Sequence, residues 1–154
     1  MLDLAAAIAH HLLIFGLFGV LGLFGVLIVE LVLVKQGIDQ TGVRRVAAVD
    51  TWYGVLAVLI LVVGFSRAIY AAKGWPYYSH NAFFWAKIAT FALIGLLSAP
   101  PTIAFARWRK AGGVPSQTQV ASVRYFLWVE VALFPLLLIF AAAMARGYGV
   151  IGSS

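Results

Sequence analysis

The chain offers few groups able to hold a metal or an anion, and most of them recur at similar places in its apolar runs. His10 and His11 stand side by side in "AIAHHLLIF", and Arg67 sits near the end of the second run. His80 and Lys87 are seven residues apart, about two helical turns, which puts them on one helix face. Met144 and Arg146 close the fourth run. Imidazole and thioether groups ligate transition metals. Ammonium and guanidinium groups bind carboxylates and phosphates. The only acid near this set is Asp3, so the cluster calls for an anion, and the histidines beside it call for a metal. Two further acids, Glu30 and Glu130, lie in apolar sequence away from these residues. There is no cysteine, which excludes disulfides and thiolate sites.

The elements that position these groups follow from composition. Of 154 residues, 64% are hydrophobic and 10% charged, and the mean hydropathy is +1.01. A soluble domain of this size cannot keep so apolar a surface in water. Four apolar runs cover about 4–34, 51–72, 82–106 and 122–146. Each exceeds the roughly 20 residues a helix needs to cross the hydrocarbon core. The runs are continuous rather than alternating, which argues against barrel strands. Short connections imply antiparallel neighbours, so the expected fold is all-α: a single-domain, integral membrane four-helix up-down bundle over 1–154. The N-terminus lacks the basic stretch of a cleavable signal peptide.

The basic residues set the orientation. Seven of them, Lys35, Arg44, Arg45, Arg107, Arg109, Lys110 and Arg124, fall in or beside the first and third connections, against Lys73 and Arg146 on the other side. The positive-inside rule makes the seven-charge side cytoplasmic and both termini external. The net charge of +6 is spread over these ends and forms no nucleic-acid patch. Trp75, Tyr77, Tyr78 and Trp85 would form an outer aromatic belt, and Trp52, Tyr53, Trp108, Tyr125 and Trp128 an inner one.

In this frame His10, His11, Arg67, His80, Lys87, Met144 and Arg146 share an outer-leaflet layer, while Glu30 and Glu130 lie toward the cytoplasm as an inner polar site. Ionisable groups inside a bilayer cost several kcal/mol unless they snorkel, pair or serve a site. Lys87 can lift its amine to the headgroups or point into the bundle. Glu30 and Glu130 can pair with Arg45 or Arg124, or face each other if the first and last helices are neighbours. Gly16, Gly19, Gly22 and Gly25 recur every three residues, either for close helix packing or to leave room for a flat cofactor. Pro76 marks a turn, Pro100 and Pro101 a kink on the cytoplasmic side, and Pro135 a bend in the fourth helix.

The segment "GFSRAIYAAKGWPYYSHNAFFWAKIATFALIGLLSAPPT" resembles the domain of unknown function 2214 family of predicted bacterial membrane proteins. More distantly, the chain is similar to a CopD-like four-helix superfamily that includes the haem-binding bacterial protoporphyrinogen oxidase. "AIAHHLLIF" resembles that oxidase's first-helix histidine motif, best at His10. Lys87 in "FFWAKIATFAL" matches its third-helix lysine. "VRYFLWVEVALFPLLL" keeps an acid at Glu130, with Val129 where a polar residue would stand. The oxidase's later third-helix histidine is replaced here by "LLSAPP", which separates this chain from the oxidase activity. The resemblance implies haem b or a related redox cofactor near the outer leaflet. His10 would be its axial ligand and metal-binding residue, with His11, Lys87 or Met144 second. Arg67, Lys87 and Arg146 would neutralise the propionates, with His80 in the same layer.

The opposing expectation is a non-enzymatic bundle, copper-related or an assembly partner, whose outer basic cluster binds lipid phosphate. A small anion transporter is a third, without an inverted repeat to support it. The lipid bilayer is the expected partner, in a bacterial cytoplasmic (inner) membrane. The apolar outer face suits lipid or a homo-oligomer equally, and a redox partner would accompany a redox cofactor.

Overall fold

The computed structural model describes residues 2–70 and 74–151, with side chains described for 19–66, 68–70 and 74–151. The described chain is helical throughout its elements: α1 (Leu2–Lys35), α2 (Gln40–Tyr70), the short α3 (Gly74–Ser79), α4 (Ala82–Ala111) and α5 (Gln117–Ala145). An isolated bridge pairs Asn81 with Val150. α2, α4 and α5 are each long and apolar enough to cross a membrane.

Local chemistry sets the helix ends. The Asp39 carboxylate accepts from Gly42 N at 2.6 Å and caps the start of α2. Asn81 caps α4 by accepting from the backbone of Phe83 and Phe84. Ser116 and Gln119 form a capping box at α5. Gly112 ends α4 at φ 65°, a left-handed position that suits glycine.

α1 packs on α2 and α5, and α4 packs on α2 and α5, so the four long helices close a ring in the order α1, α2, α4, α5. The core stripes show why. On α1, Leu23, Leu27, Leu31 and Val34 are buried at three- and four-residue spacing. On α5 the stripe is Val120, Val123, Leu127, Phe134 and Leu137. The rings of Phe24 and Phe134 meet at 5.0 Å where α1 crosses α5. Gln40 Nε2 donates to Gly112 O at 2.9 Å, which places the two short connections at one end. At the other end Asn81 Nδ2 donates to Tyr148 O at 2.9 Å.

Several boundaries differ from the sequence expectation. α2 begins at Gln40 rather than near 51, and α4 and α5 extend toward their shared connection, at Ala111 and Gln117. These extensions are amphipathic: Val43, Val46 and Ala47 are buried while Arg44 and Arg45 are exposed. A helix can therefore continue past the hydrocarbon with its charged face in water, and an apolar-run criterion stops too early. α4 continues through Pro100 and Pro101, and the aromatic connection contains α3. Tyr53 and Trp108 do not join the inner belt, because they are 5% and 6% exposed and belong to the core. Trp52, Tyr125 and Trp128 are exposed, as a belt requires.

Candidate functional site

Glu30 and Glu130 sit inside the core stripes of their own helices. Glu30 lies one turn past Leu27, and Glu130 falls between Leu127 and Phe134. Their exposures are 1% and 0%. The expected pairing with Arg45 or Arg124 is not what satisfies them, since both arginines are exposed. Glu130 Oε2 instead accepts from the Tyr53 hydroxyl at 3.3 Å. That is long for an O–H···O bond. Glu30 Oε1 and Glu130 Oε1 are buried without a hydrogen-bond partner. Each orphaned polar atom costs about 1–3 kcal/mol. Glu30 also lies near Asp50 and Glu130. The structure thus brings the two predicted inner acids together and adds Asp50 and Tyr53, which the sequence pattern alone does not place with them.

Asp50 is 9% exposed, and its Oδ1 accepts from the Thr102 hydroxyl of α4 at 2.7 Å. It lines a cleft of about 280 Å³ between α2 and α4. The floor is apolar, with Leu23 and Ile94, and the polar wall is Asp50, Ser98 and Thr102. Pro100 and Pro101 lie between Ser98 and Thr102. Neither can donate a backbone N–H, so the carbonyls of Leu96 and Leu97 lose their usual helical donors beside this wall. Tyr53 lines the cleft as well and reaches Glu130 through its hydroxyl, so it joins the cleft to the buried carboxyls.

All polar groups of this site are oxygen atoms. Among the described residues, no group of three or more His, Cys, Asp or Glu side chains could hold a metal ion. What the arrangement can do is take, pass and release protons: carboxyls and a phenol are the groups that exchange them, and intramembrane acids mark such relays.

The outer set is placed differently. The side chains of His10, His11 and Arg67 lie outside the described ones. His80, Lys87, Met144 and Arg146 lie at the end where α3 and the start of α4 meet the end of α5. His80 precedes the helix, because Asn81 is the cap, so helical spacing does not relate it to Lys87. Its Nδ1 lies 2.8 Å from Pro76 O. Lys87 is half-buried, with Nζ 5.7 Å from the centre of the Phe84 ring, one turn toward the helix start. The Tyr77 hydroxyl donates to Met144 O at 3.2 Å. Arg146 is exposed at the end of α5. For a haem, Lys87 and Arg146 are of the kind that meets propionates, while the candidate ligand His10 is among the undescribed side chains. Neither the cleft nor the groove by Gly22 and Gly25 is lined by these residues.

Gly16 lies outside the described side chains, and the rest of the glycine repeat divides in two. A Cβ on Gly19 would meet Ile60 of α2 at 3.4 Å, which is close packing, while Gly22 and Gly25 face open space.

A family profile described as predicted membrane protein (DUF2214) matches residues 2–149. The chain belongs to that family. The match spans all the long helices and both sets of polar residues. No curated protein and no solved structure matches the chain.

Proposed function

We propose that this DUF2214 member is a four-helix up-down membrane bundle that binds and releases protons at Glu30, Tyr53 and Glu130, reached from the cleft through Asp50. The observation that carries this is the pair of buried, unpartnered carboxylate oxygens on Glu30 and Glu130. α1 is the fourth span. Both termini face outward in a bacterial inner membrane, because the seven basic residues of the other end are all exposed there. An apolar pair at these core-stripe positions would pack at no electrostatic cost, so retaining acids there fits a functional role.

The test is infrared difference spectroscopy of the full chain in lipid nanodiscs across a pH titration. A carboxyl C=O band that changes with pH in the wild type, and is altered in Glu130→Gln and Glu30→Gln, supports proton exchange. A spectrum in which both variants titrate like the wild type sinks it.

A second reading places haem b or a related redox cofactor in the outer layer. What favours it is the gathering of Lys87, Met144 and Arg146 at one end of the molecule, with the described resemblance at His10. A bound haem would supply the redox chemistry, and the chain's part would be ligation by His10 and charge neutralisation by Lys87 and Arg146. Its test is the visible spectrum of the purified protein supplied with haem, set beside His10→Ala. A colourless wild type removes the reading and leaves the outer basic residues to lipid phosphates.

A further inference from the structure

We propose that the cleft between α2 and α4 binds an ammonium group carried on an apolar body, with the ammonium docked on Asp50. This inference shares Asp50 and the cleft with the proposed proton path, but it does not require proton exchange at Glu130.

The cleft is built for such a ligand. Its volume of about 280 Å³ is close to the lower end of small-molecule sites, roughly 300 Å³. Two glycines, Gly54 on α2 and Gly95 on α4, line it, and a Cβ on either would meet nothing within 4 Å. The space is therefore open where two helices would otherwise close on each other. Phe91, Ile94 and Val55 give it apolar walls. Asp50 spends Oδ1 on Thr102, and no hydrogen bond engages its other oxygen among the described residues. A half-used carboxylate at the edge of an apolar cleft suits a donor that is positively charged, since charge-assisted hydrogen bonds are the strong ones. Thr51, Gly54, Gly95 and Thr102 are exposed, so the cleft opens sideways between the helices. In a bilayer that opening faces lipid. The shared chemistry, an ammonium on an apolar body, belongs to free amines and to aminophospholipid headgroups alike.

The probe is 2-phenylethylamine, with 2-phenylethanol as the neutral control. The readout is thermal unfolding of the full chain in phosphatidylcholine nanodiscs. The amine should raise the unfolding temperature saturably and the alcohol should not. Asp50→Asn keeps the shape and an oxygen for Thr102 but removes the charge, and should weaken the amine about tenfold or more. Gly95→Leu fills the cleft from a position with open space, and should abolish the effect without disturbing the fold. Repeating the wild-type titration in phosphatidylethanolamine nanodiscs separates the sources. A response lost there means the lipid headgroup already occupies the site, and a response kept means a free amine is the ligand. No saturable response in phosphatidylcholine, an equal response to the alcohol, or full binding by Asp50→Asn overturns the proposal. The infrared titration is independent, so either reading can fail without the other.

Discussion

Tyr53 and Glu130 meet across the centre of the helix ring. They are 77 positions apart, and the hydroxyl of one donates to the carboxylate of the other at 3.3 Å. α2 and α5 stand diagonally, since each packs on α1 and α4. The bond is thus a polar tie through a core otherwise made largely of leucine, valine and phenylalanine. In apolar surroundings such a tie helps fix which faces of α2 and α5 turn inward, because any other rotation strands both groups.

This gives a prediction about coupling. Tyr53→Phe deletes the donor and leaves a second carboxylate oxygen of Glu130 orphaned, which should cost about 1–3 kcal/mol. Glu130→Leu removes the orphaned Oε1 and restores the apolar stripe but strands the buried Tyr53 hydroxyl, so the two effects should largely offset. In the Glu130→Leu background, Tyr53→Phe should cost far less than it does alone. Denaturant unfolding of all four forms in detergent measures the cycle. Equal costs in both backgrounds would mean the hydroxyl and the carboxylate do not interact.

Much of this arrangement is legible in the sequence, for identifiable reasons. Apolar length gives the helices, and the three- and four-residue spacing around Glu30 and Glu130 puts both acids on core stripes. Asp50 and Tyr53 are harder to see. Asp50 falls in a stretch that composition alone reads as a polar connection, because Arg44 and Arg45 interrupt its hydropathy. Only a helix starting at Gln40 turns that stretch into an amphipathic face with Asp50 and Tyr53 inward. Tyr53 beside Trp52 has the appearance of a belt residue. The three-residue step from Asp50 to Tyr53 is the signal that finds them, since it places both on one helix face. Asn81 gives no sign of its second role, because that role depends on chain 67 residues away.

That last contact carries the second prediction. Asn81 is fully buried, caps α4, and donates to Tyr148 O. Ala82 N also donates to Gly149 O at 2.8 Å, and Ile151 N to His80 O at 2.8 Å. The segment after α5 is therefore clamped onto the start of α4. Asn81→Ala removes a cap worth about 1 kcal/mol and orphans Tyr148 O. Gly149→Ala adds a Cβ that would come within 2.5 Å of the Phe83 ring, at φ +79°. Both variants should lower the unfolding temperature. Hydrogen exchange should speed up at Ala82 and Ile151 while the α1–α2 pair is unchanged. Unaltered exchange at those two amides would show that the clamp does not form.

A third prediction concerns Lys35, whose Nζ lies 5.4 Å from the Trp128 ring centre, joining the end of α1 to α5. Both side chains are exposed, and exposed cation–π contacts contribute about 0.5–1 kcal/mol. Lys35→Gln should therefore destabilise by no more than that amount. Trp128→Leu should cost a comparable amount and remove most of the effect of the lysine change. A loss of several kcal/mol from Lys35→Gln would mean the residue does more than cover a ring at the interface.

The last prediction is topological. The exposed basic residues Lys35, Arg44, Arg45, Arg107, Arg109, Lys110 and Arg124 belong to the end that holds the two short connections, which Gln40 and Gly112 tie together. The opposite end carries the α3 segment, where Trp75 and Trp85 are exposed and their rings meet at 6.4 Å. On the proposed orientation the basic excess puts the first end at the cytoplasm, and the aromatic group suits an interface on the other side. An alkaline phosphatase fusion after Arg146 should then be active, and one at Gly113 inactive. Moving charge should matter as well. Replacing Arg107, Arg109 and Lys110 by glutamine lowers the count at that end from seven to four, still above Lys73 and Arg146, so orientation should hold. Adding lysines after Arg146 on top of that change should produce a mixed population, with phosphatase activity appearing at Gly113. An active Gly113 fusion in the unmodified chain would reverse the frame. The carboxyl cluster and its cleft would then lie toward the outside, and the His80–Lys87 end toward the cytoplasm.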